Sequence, residues 1–343
     1  MKNYFINKKV LITGHSGFKG SWLSMFLHIL GCEVYGLSDF SVNSGIYNEI
    51  SDKDIFKKEF NASICDKESI ENIILDTKFD TVFHFAAQGL VSEAKRDPEN
   101  TLITNIIGTF NVLEFCNLNK NIKTLTIATT DKVYKNHNDK NTEDFKLGGD
   151  EFYSASKAGA EHIINAFAKT RKRNDLNIGI VRSGNVLGGG DYGKDRILTD
   201  IFNSLIYNSD ISLRNPSSIR PWQYVLDSIF GYLLVDKYIY ENNTDEIFNL
   251  NTKLIDNYTV LDLTNYILKF WGSENNLEIT NNKEVEFSES KILTIDSSKA
   301  EKLLGWKPQF DIEKICENIV NYEKNSDKFN WSISHIKSFL NNI

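Results

Sequence analysis

The stretch KVLITGHSGFKGSWLSMFLHIL, residues 9–30, decides the fold. Val10-Leu11-Ile12-Thr13 is a continuous apolar run closed by Gly14, the pattern of a strand buried on both faces in a parallel sheet. From Ser21 the period changes. Trp22, Leu23, Phe26, Leu27 and Leu30 recur at helical spacing, and Gly31 stands where a left-handed cap ends such a helix. Between strand and helix, Gly14, Gly17 and Gly20 spell G-x-x-G-x-x-G. A turn of this kind is tight, its backbone is bare enough for a pyrophosphate to approach, and the helix beyond it aims free N–H groups at the charge. Three glycines alone say little; with the strand before and the helix after, they predict dinucleotide binding.

Working outward, a second strand is expected at Glu33–Ser38, and others at Thr81–Phe85, Thr124–Thr130 and Ile178–Val186, with helical segments between them. This alternation predicts an α/β fold, a Rossmann-type doubly wound parallel sheet, with a smaller C-terminal substrate domain. Residues 1–185 are read as the cofactor domain, and 223–250 as a helix and strand that return to it. Residues 186–222 and 251–343 are read as the substrate-binding domain and an amphipathic tail, with polar loops around 191–222 and 272–298.

Composition narrows the function classes. The 343 residues are 41% hydrophobic and 25% charged, which excludes a disordered or low-complexity chain. Lys and Arg number 39 against 46 Asp and Glu, a formal charge of -7, so a nucleic-acid partner is not expected. Cys32, Cys65, Cys116 and Cys316 lack metal-ligand spacing and the six histidines form no HxxH pattern, so no metal site is expected. The first strand arrives too early for a secretory signal, and no apolar run is long enough to span a bilayer. The expectation is a cytoplasmic protein with no membrane partner.

Cofactor choice is read after the second strand. Ser38 and Asp39 stand there, and no Lys or Arg occurs between Ser21 and Ile50. A 2′-phosphate needs a cation, whereas a ribose diol is satisfied by Asp39 or a hydroxyl, so NAD is predicted. Tyr153 and Lys157, in YSASKAGAEH, are four apart and share one helix face. A phenol with a pKa of about 10 is a poor base at neutral pH, and a neighbouring ammonium stabilises its phenolate. Thr130, at the end of the expected strand, is the hydroxyl that would position a substrate alcohol, a strand-end cap being the lesser alternative.

These motifs resemble the extended short-chain dehydrogenase/reductase superfamily. TGHSGFKGSWLS, HFAAQGLV, TTDKVY, YSASKAGAE, RSGNVLGGGD, RNPSSIRPWQYV and SKAEKLLGW, in order from about residue 8 to 310, are similar to the CDP-glucose 4,6-dehydratases. Asp131-Lys132 replaces the Asp-Glu pair of most 4,6-dehydratases. The resemblance implies that Tyr153 takes the sugar 4-hydroxyl proton while C4 reduces NAD, that Lys132 removes the C5 proton, and that Asp131 protonates the departing 6-hydroxyl. Return of the hydride to C6 leaves a 4-keto-6-deoxy sugar.

The implied cofactor set is Gly14, Ser16, Gly17, Phe18, Lys19, Gly20, Ser38, Asp39, Ser63, Ile64, Phe85, Ala86, Ala87, Asn105, Thr129, Tyr153 and Lys157. Ser63 departs from the Asp usual in relatives, and a backbone contact to the adenine would serve instead. The implied substrate set is Gln88 toward the sugar hydroxyls, Asn185 and Arg220 on the diphosphate, Arg214 as a third candidate, and Glu289 near the nucleotide ribose. SerGluSer at 288–290 departs from the usual His-Glu-Ala, which leaves base and sugar open. Relatives pair as homodimers through two helices, here around 100–118 and 153–172; the face Ile103, Ile107, Phe110 and Leu113 fits such a partner and fits ordinary core packing about as well. An epimerase or 4-dehydrogenase of the same superfamily would keep Tyr153 and Lys157 without needing Asp131-Lys132. A non-catalytic NAD-sensing regulator would need no phenolate at all.

Overall fold

The computed structural model describes residues 1–135, 141–213, 215–252, 258–272, 279–281 and 295–343. Strands β1 (Lys9–Thr13), β2 (Glu33–Ser38), β3 (Phe56–Asn61), β4 (Thr81–His84), β5 (Thr124–Ala128) and β6 (Asn177–Ser183) belong to one sheet. β7 (Val186–Leu187), β8 (Ile211–Leu213) and β9 (Gln223–Tyr224) follow, then β10 (Glu246–Leu250) and β11 (Ile279–Asn281). The main sheet has seven strands in the order β10-β6-β5-β4-β1-β2-β3, and every pair is parallel. β7 pairs with β9, and β8 with β11. The order reverses between β1 and β4, which opens a crevice at the carboxyl ends of those strands.

Alternation along β1 explains why it reads as solid apolar. Val10 and Ile12 join the core on one face with Trp22, Leu23 and Phe26, while Leu11 joins the other with Val82, Leu125 and Ile127. The helix after β1 runs from Phe18 to Ile29, three residues earlier than its apolar period suggests, because Gly17 is its N-cap. Gly31 ends it at φ +87°, a conformation that favours glycine, and the Cys32 N–H closes back on the Leu27 carbonyl.

Several elements depart from the sequence reading. β3, FKKEFN, was not anticipated, because an edge strand carrying Lys57, Lys58 and Glu59 hides its apolar signal. The helix Ile197–Tyr207 lies inside the expected polar loop; it buries Leu198, Ile201, Phe202 and Leu205 at helical spacing. Sheet strands stop before Phe85, Thr129 and Val186, so those residues leave the sheet at the crevice. The segment around 100–118 contains a π-helical turn, Ile103–Gly108, between two α-helical pieces. That turn shifts the phase of the helix. Ile103, Ile107 and Phe110 are 41%, 50% and 38% exposed, but Leu113 is fully buried and belongs to the core rather than to an outer face.

The tail docks. In the helix Lys328–Asn342, Phe339 packs edge-on against Phe26 at 6.1 Å, and His335 Nε2 lies 2.9 Å from the Tyr224 hydroxyl. Among the described residues no helix is long and apolar enough to cross a membrane, and no three side chains cluster as metal ligands.

Candidate active site

The glycine loop forms a cradle of bare backbone. A Cβ on Gly14, at φ +72°, would come within 2.6 Å of the Ala86 nitrogen, and one on Gly20 within 2.2 Å of the Gly14 carbonyl oxygen. The backbone after β4 and the amino end of the helix therefore pack against the loop at positions that admit only glycine. Gly17 brings no capping side chain, so the first-turn N–H groups are left for an anion. The loop is held from outside: the Ser16 hydroxyl donates to Val42 O at 2.8 Å and lies 2.9 Å from Ser38 Oγ. Phe18 lines the same end. Lys19 reaches across to donate to the Tyr232 hydroxyl at 3.2 Å, beside Phe85, whose ring meets Tyr232 edge-on at 4.7 Å.

The remaining cofactor candidates gather around this cradle. Asp39 is exposed just past β2, and its Oδ1 accepts from the Ser41 N–H and hydroxyl. Ser63 accepts from the Cys65 N–H, and the Ile64 carbonyl accepts from Asn111 at 2.9 Å. Phe85, Ala86 and Ala87 follow β4 directly. Asn105, on the π-helical turn, holds the backbone of Gln88 with both ends of its amide and donates to Ser156 Oγ at 2.9 Å. Residues with the donors, hydroxyls and diphosphate cradle that NAD requires thus surround one crevice.

The chemical end lies where β5 stops. Thr129 and Thr130 continue from it, Asp131–Val133 form a single 3₁₀ turn, and Thr130 caps that turn by accepting from the Lys132 N–H. Asp131 is 2% exposed, its Oδ1 accepting from the Thr130 hydroxyl at 3.0 Å, and Lys132 is half-buried. The helix Phe152–Thr170 opens on a Glu151 capping box and brings Tyr153 into hydrogen bonding with Thr130. Lys157 donates to the Ala128 carbonyl at 3.2 Å.

The electrostatics differ from the Tyr-x-x-x-Lys expectation. Burial pushes the Tyr153 phenol up to about 12 and Asp131 adds to it, while the Thr130 hydrogen bond and the Arg196 charge pull it down. Lys157 is lowered to about 8 by burial and by the charge of Lys19, with Glu161 opposing. Arg196, which sequence reasoning missed, adds a positive charge acting on the phenol. It carries no motif; it lies in the loop after Gly188-Gly189-Gly190, with its Nε 3.9 Å from the Asp191 carboxylate. Glu161, one turn after Lys157, was also missed, together with the Arg182 it pairs with.

At the substrate end the β7–β9 pairing unites two distant motifs. The Asn185 carbonyl accepts from the Gln223 N–H at 2.9 Å, so the half-buried Asn185 stands beside the Arg220–Gln223 run. Arg220 is buried, and its guanidinium donates to the Ile219 carbonyl. A Cβ on Gly184 would sit 3.1 Å from both Asp131 Oδ2 and Pro221 Cγ, which brings the Arg220 turn against the Asp131–Val133 turn. Gln88 differs from its expected sugar-facing role. Its amide nitrogen donates to Leu90 O and Thr101 Oγ1, and its oxygen accepts from the Leu90 N–H, so both ends pin its own loop. Arg214 and Glu289 lie outside the described residues.

Comparison with known proteins follows this geometry. The sequence model described as GDP-mannose 4,6 dehydratase matches residues 11–319. A CDP-glucose 4,6-dehydratase from Salmonella typhimurium is 34% identical, over 94% of this chain and 92% of that protein. The fold matches an epimerase from Methanothermobacter thermautotrophicus with a TM-score of 0.83 at 21% identity, covering 98% of this chain and 96% of that one. It also matches a UDP-glucuronic acid 4-epimerase from Bacillus cereus, solved with UDP-glucuronic acid and NAD, with a TM-score of 0.79 at 22% identity, covering 92% and 99%. The chain belongs to the GDP-mannose 4,6-dehydratase family of NAD-dependent nucleotide-sugar enzymes, within the short-chain dehydrogenase/reductase superfamily.

Proposed function

We propose that this chain is a sugar-nucleotide 4,6-dehydratase that converts CDP-glucose, or a closely related nucleoside-diphosphate hexose, to the 4-keto-6-deoxy sugar. The observation that carries the reading is the single turn Thr130-Asp131-Lys132 at the end of β5, hydrogen-bonded through Thr130 to Tyr153. Two proton-transfer groups beside the alcohol-oxidising tyrosine are what dehydration needs and epimerisation does not.

The cradle Gly14–Gly20, with Asp39 for the ribose and Ile64 beside the adenine, supports NAD as the bound cofactor. When bound, NAD supplies the two-electron acceptor that takes electrons from the sugar C4 and returns them at C6. Tyr153 removes the 4-hydroxyl proton, with Thr130 orienting that oxygen and Lys157 supporting the phenolate. The 4-ketone acidifies C5, and Lys132 takes that proton. Asp131, paired to the Thr130 hydroxyl, hands a proton to the 6-hydroxyl as it departs as water. Asn185 and Arg220 hold the diphosphate.

Residues 1–185 with 223–250 act as the cofactor half, a division supported by the pairing of β10 with β6. The exposed Ile103, Ile107 and Phe110 support a homodimer.

Incubation with CDP-, UDP-, GDP- and dTDP-hexoses, read by mass spectrometry, tests the reading. Loss of one water from the CDP sugar without accumulation of NADH is expected. Conversion to a 4-epimer of unchanged mass, or stoichiometric NADH, overturns it.

A further inference from the structure

Behind the reacting residues lies a closed polar network in which the motif reading assigned no role to Glu161 or Arg182. Glu161 is fully buried, one helical turn beyond Lys157, and Arg182 on β6 is 2% exposed. Arg182 grips the Glu161 carboxylate with Nε at 3.1 Å to both oxygens and with a terminal nitrogen at 2.6 Å. The remaining groups close the network. The Thr129 hydroxyl donates to Glu161 at 2.7 Å, and Arg182 donates to the Tyr134 hydroxyl at 2.8 Å and the Glu143 carbonyl at 3.0 Å. Tyr134 in turn donates to Asn249 on β10 at 2.7 Å. Two unit charges without water are tolerated only when geometry and hydrogen bonding are this complete.

The placement matters more than the stability. Thr129 stands between Ala128, whose carbonyl receives Lys157, and Thr130, which bonds Tyr153 and Asp131. Tyr134 closes the far side of the Asp131–Val133 turn. A clamp joining Thr129, Tyr134, the Phe152–Thr170 helix and β6 therefore fixes the helix against the segment that carries the acid and the base. We propose that the Glu161–Arg182 pair is the positioning element of this site: it sets where Tyr153 and Lys157 stand relative to Thr130 and Asp131, and it keeps the net charge behind Lys157 at zero.

The charges facing the reacting pair are few. Lys157 faces Lys19, Glu161 and His84, the last pushed down to about 3 chiefly by burial; Tyr153 faces Asp131, Arg196 and Glu151. Removing one partner of the buried pair leaves the other uncompensated, and the two removals act on Lys157 with opposite signs. In Glu161→Gln the remaining Arg182 charge makes Lys157 lose its proton at lower pH. In Arg182→Met the remaining carboxylate holds that proton to higher pH.

The inference rests on the reading of Tyr153 and Lys157 as the reacting pair. It is tested by pH profiles of kcat for the holoenzyme. For E161Q the alkaline limb is expected to move down by about half a pH unit or more, roughly twofold at the wild-type midpoint and threefold well above it. It should return toward wild type in the E161Q/R182M double variant, where no net charge remains. R182M alone, if it folds, should move the limb the other way. A uniform loss of kcat with an unmoved limb, or a double variant shifted as far as E161Q, overturns the inference. Full activity in Tyr153→Phe overturns the underlying reading instead, whatever E161Q does.

Discussion

Thr130→Val removes one oxygen from the point where the phenol, the carboxylic acid and the 3₁₀ turn meet. In the wild type Tyr153 stands at about 12, pushed there by burial, with the Thr130 hydrogen bond pulling against the shift. At a working pH of roughly 8 the phenolate is disfavoured by about four pH units, or about 5 kcal/mol. The single Thr130 hydroxyl proton, given to Asp131 in the resting site, turns to the phenolate when it forms; a hydrogen bond to a charged oxygen contributes about 1.5–3 kcal/mol, so losing it raises the phenol by about one to two further units. The consequence is a fall in the oxidation step of about 10- to 150-fold at any pH below both values. The sign follows from the ionisation: a base whose pKa rises is less available at fixed pH, and the loss shrinks as pH approaches the wild-type value.

Stopped-flow absorbance of the transiently reduced cofactor, from pH 6 upward, reads this directly. The acid limb should move up in Thr130→Val and stay in place in Thr130→Ser, which keeps the hydroxyl and the cap on Lys132. The valine also loses that cap, worth about 1 kcal/mol of local stability, so melting temperatures should be recorded for both variants. A Thr130→Val rate within about twofold of wild type, or an equally large loss in Thr130→Ser, which keeps the hydroxyl, would refute the role of Thr130 as the group that makes Tyr153 ionisable.

Three further outcomes are expected. Gly20→Ala places a Cβ 2.2 Å from the Gly14 carbonyl, so the helix must retreat; calorimetric NAD affinity should fall at least about tenfold, overpacking of this kind costing about 1–3 kcal/mol. Lys132→Ala should bind NAD as the wild type does but lose incorporation of solvent deuterium at the sugar C5, and retained incorporation would reassign the base. His335 is lowered to about 4, chiefly by burial, with Lys314 adding to it. Its folded value lies below the unfolded one, so stability is lost as pH falls from about 6.5 toward 4. His335→Gln should flatten that part of the melting-temperature profile; an unchanged slope would mean that His335 does not hold the tail.

What could be read without coordinates was whatever short-range geometry enforces. The strand-glycine-helix unit at residues 9–30 was legible because a close turn accepts only glycine there, and the Gly31 cap because a left-handed φ favours it. Tyr153 and Lys157 were legible because spacing on a helix is local. Asn185 and Arg220 could be named only through resemblance; their meeting depends on the β7–β9 pairing. The charged edge strand β3 and the helix Ile197–Tyr207 escaped, since composition at a surface does not report what one face buries.

The sequence by itself therefore determined the strand-glycine-helix unit and the Tyr-x-x-x-Lys spacing. Tertiary structure alone decided the electrostatics. Arg196 acts on Tyr153 across a fold of the chain, Leu113 turns inward because a π-helical turn rephases its helix, Gln88 is drawn into its own loop, and Glu161 finds Arg182 on another strand. Charges and buried polar groups act through space, and the distances that set their strength exist only once the sheet and its crossovers have closed.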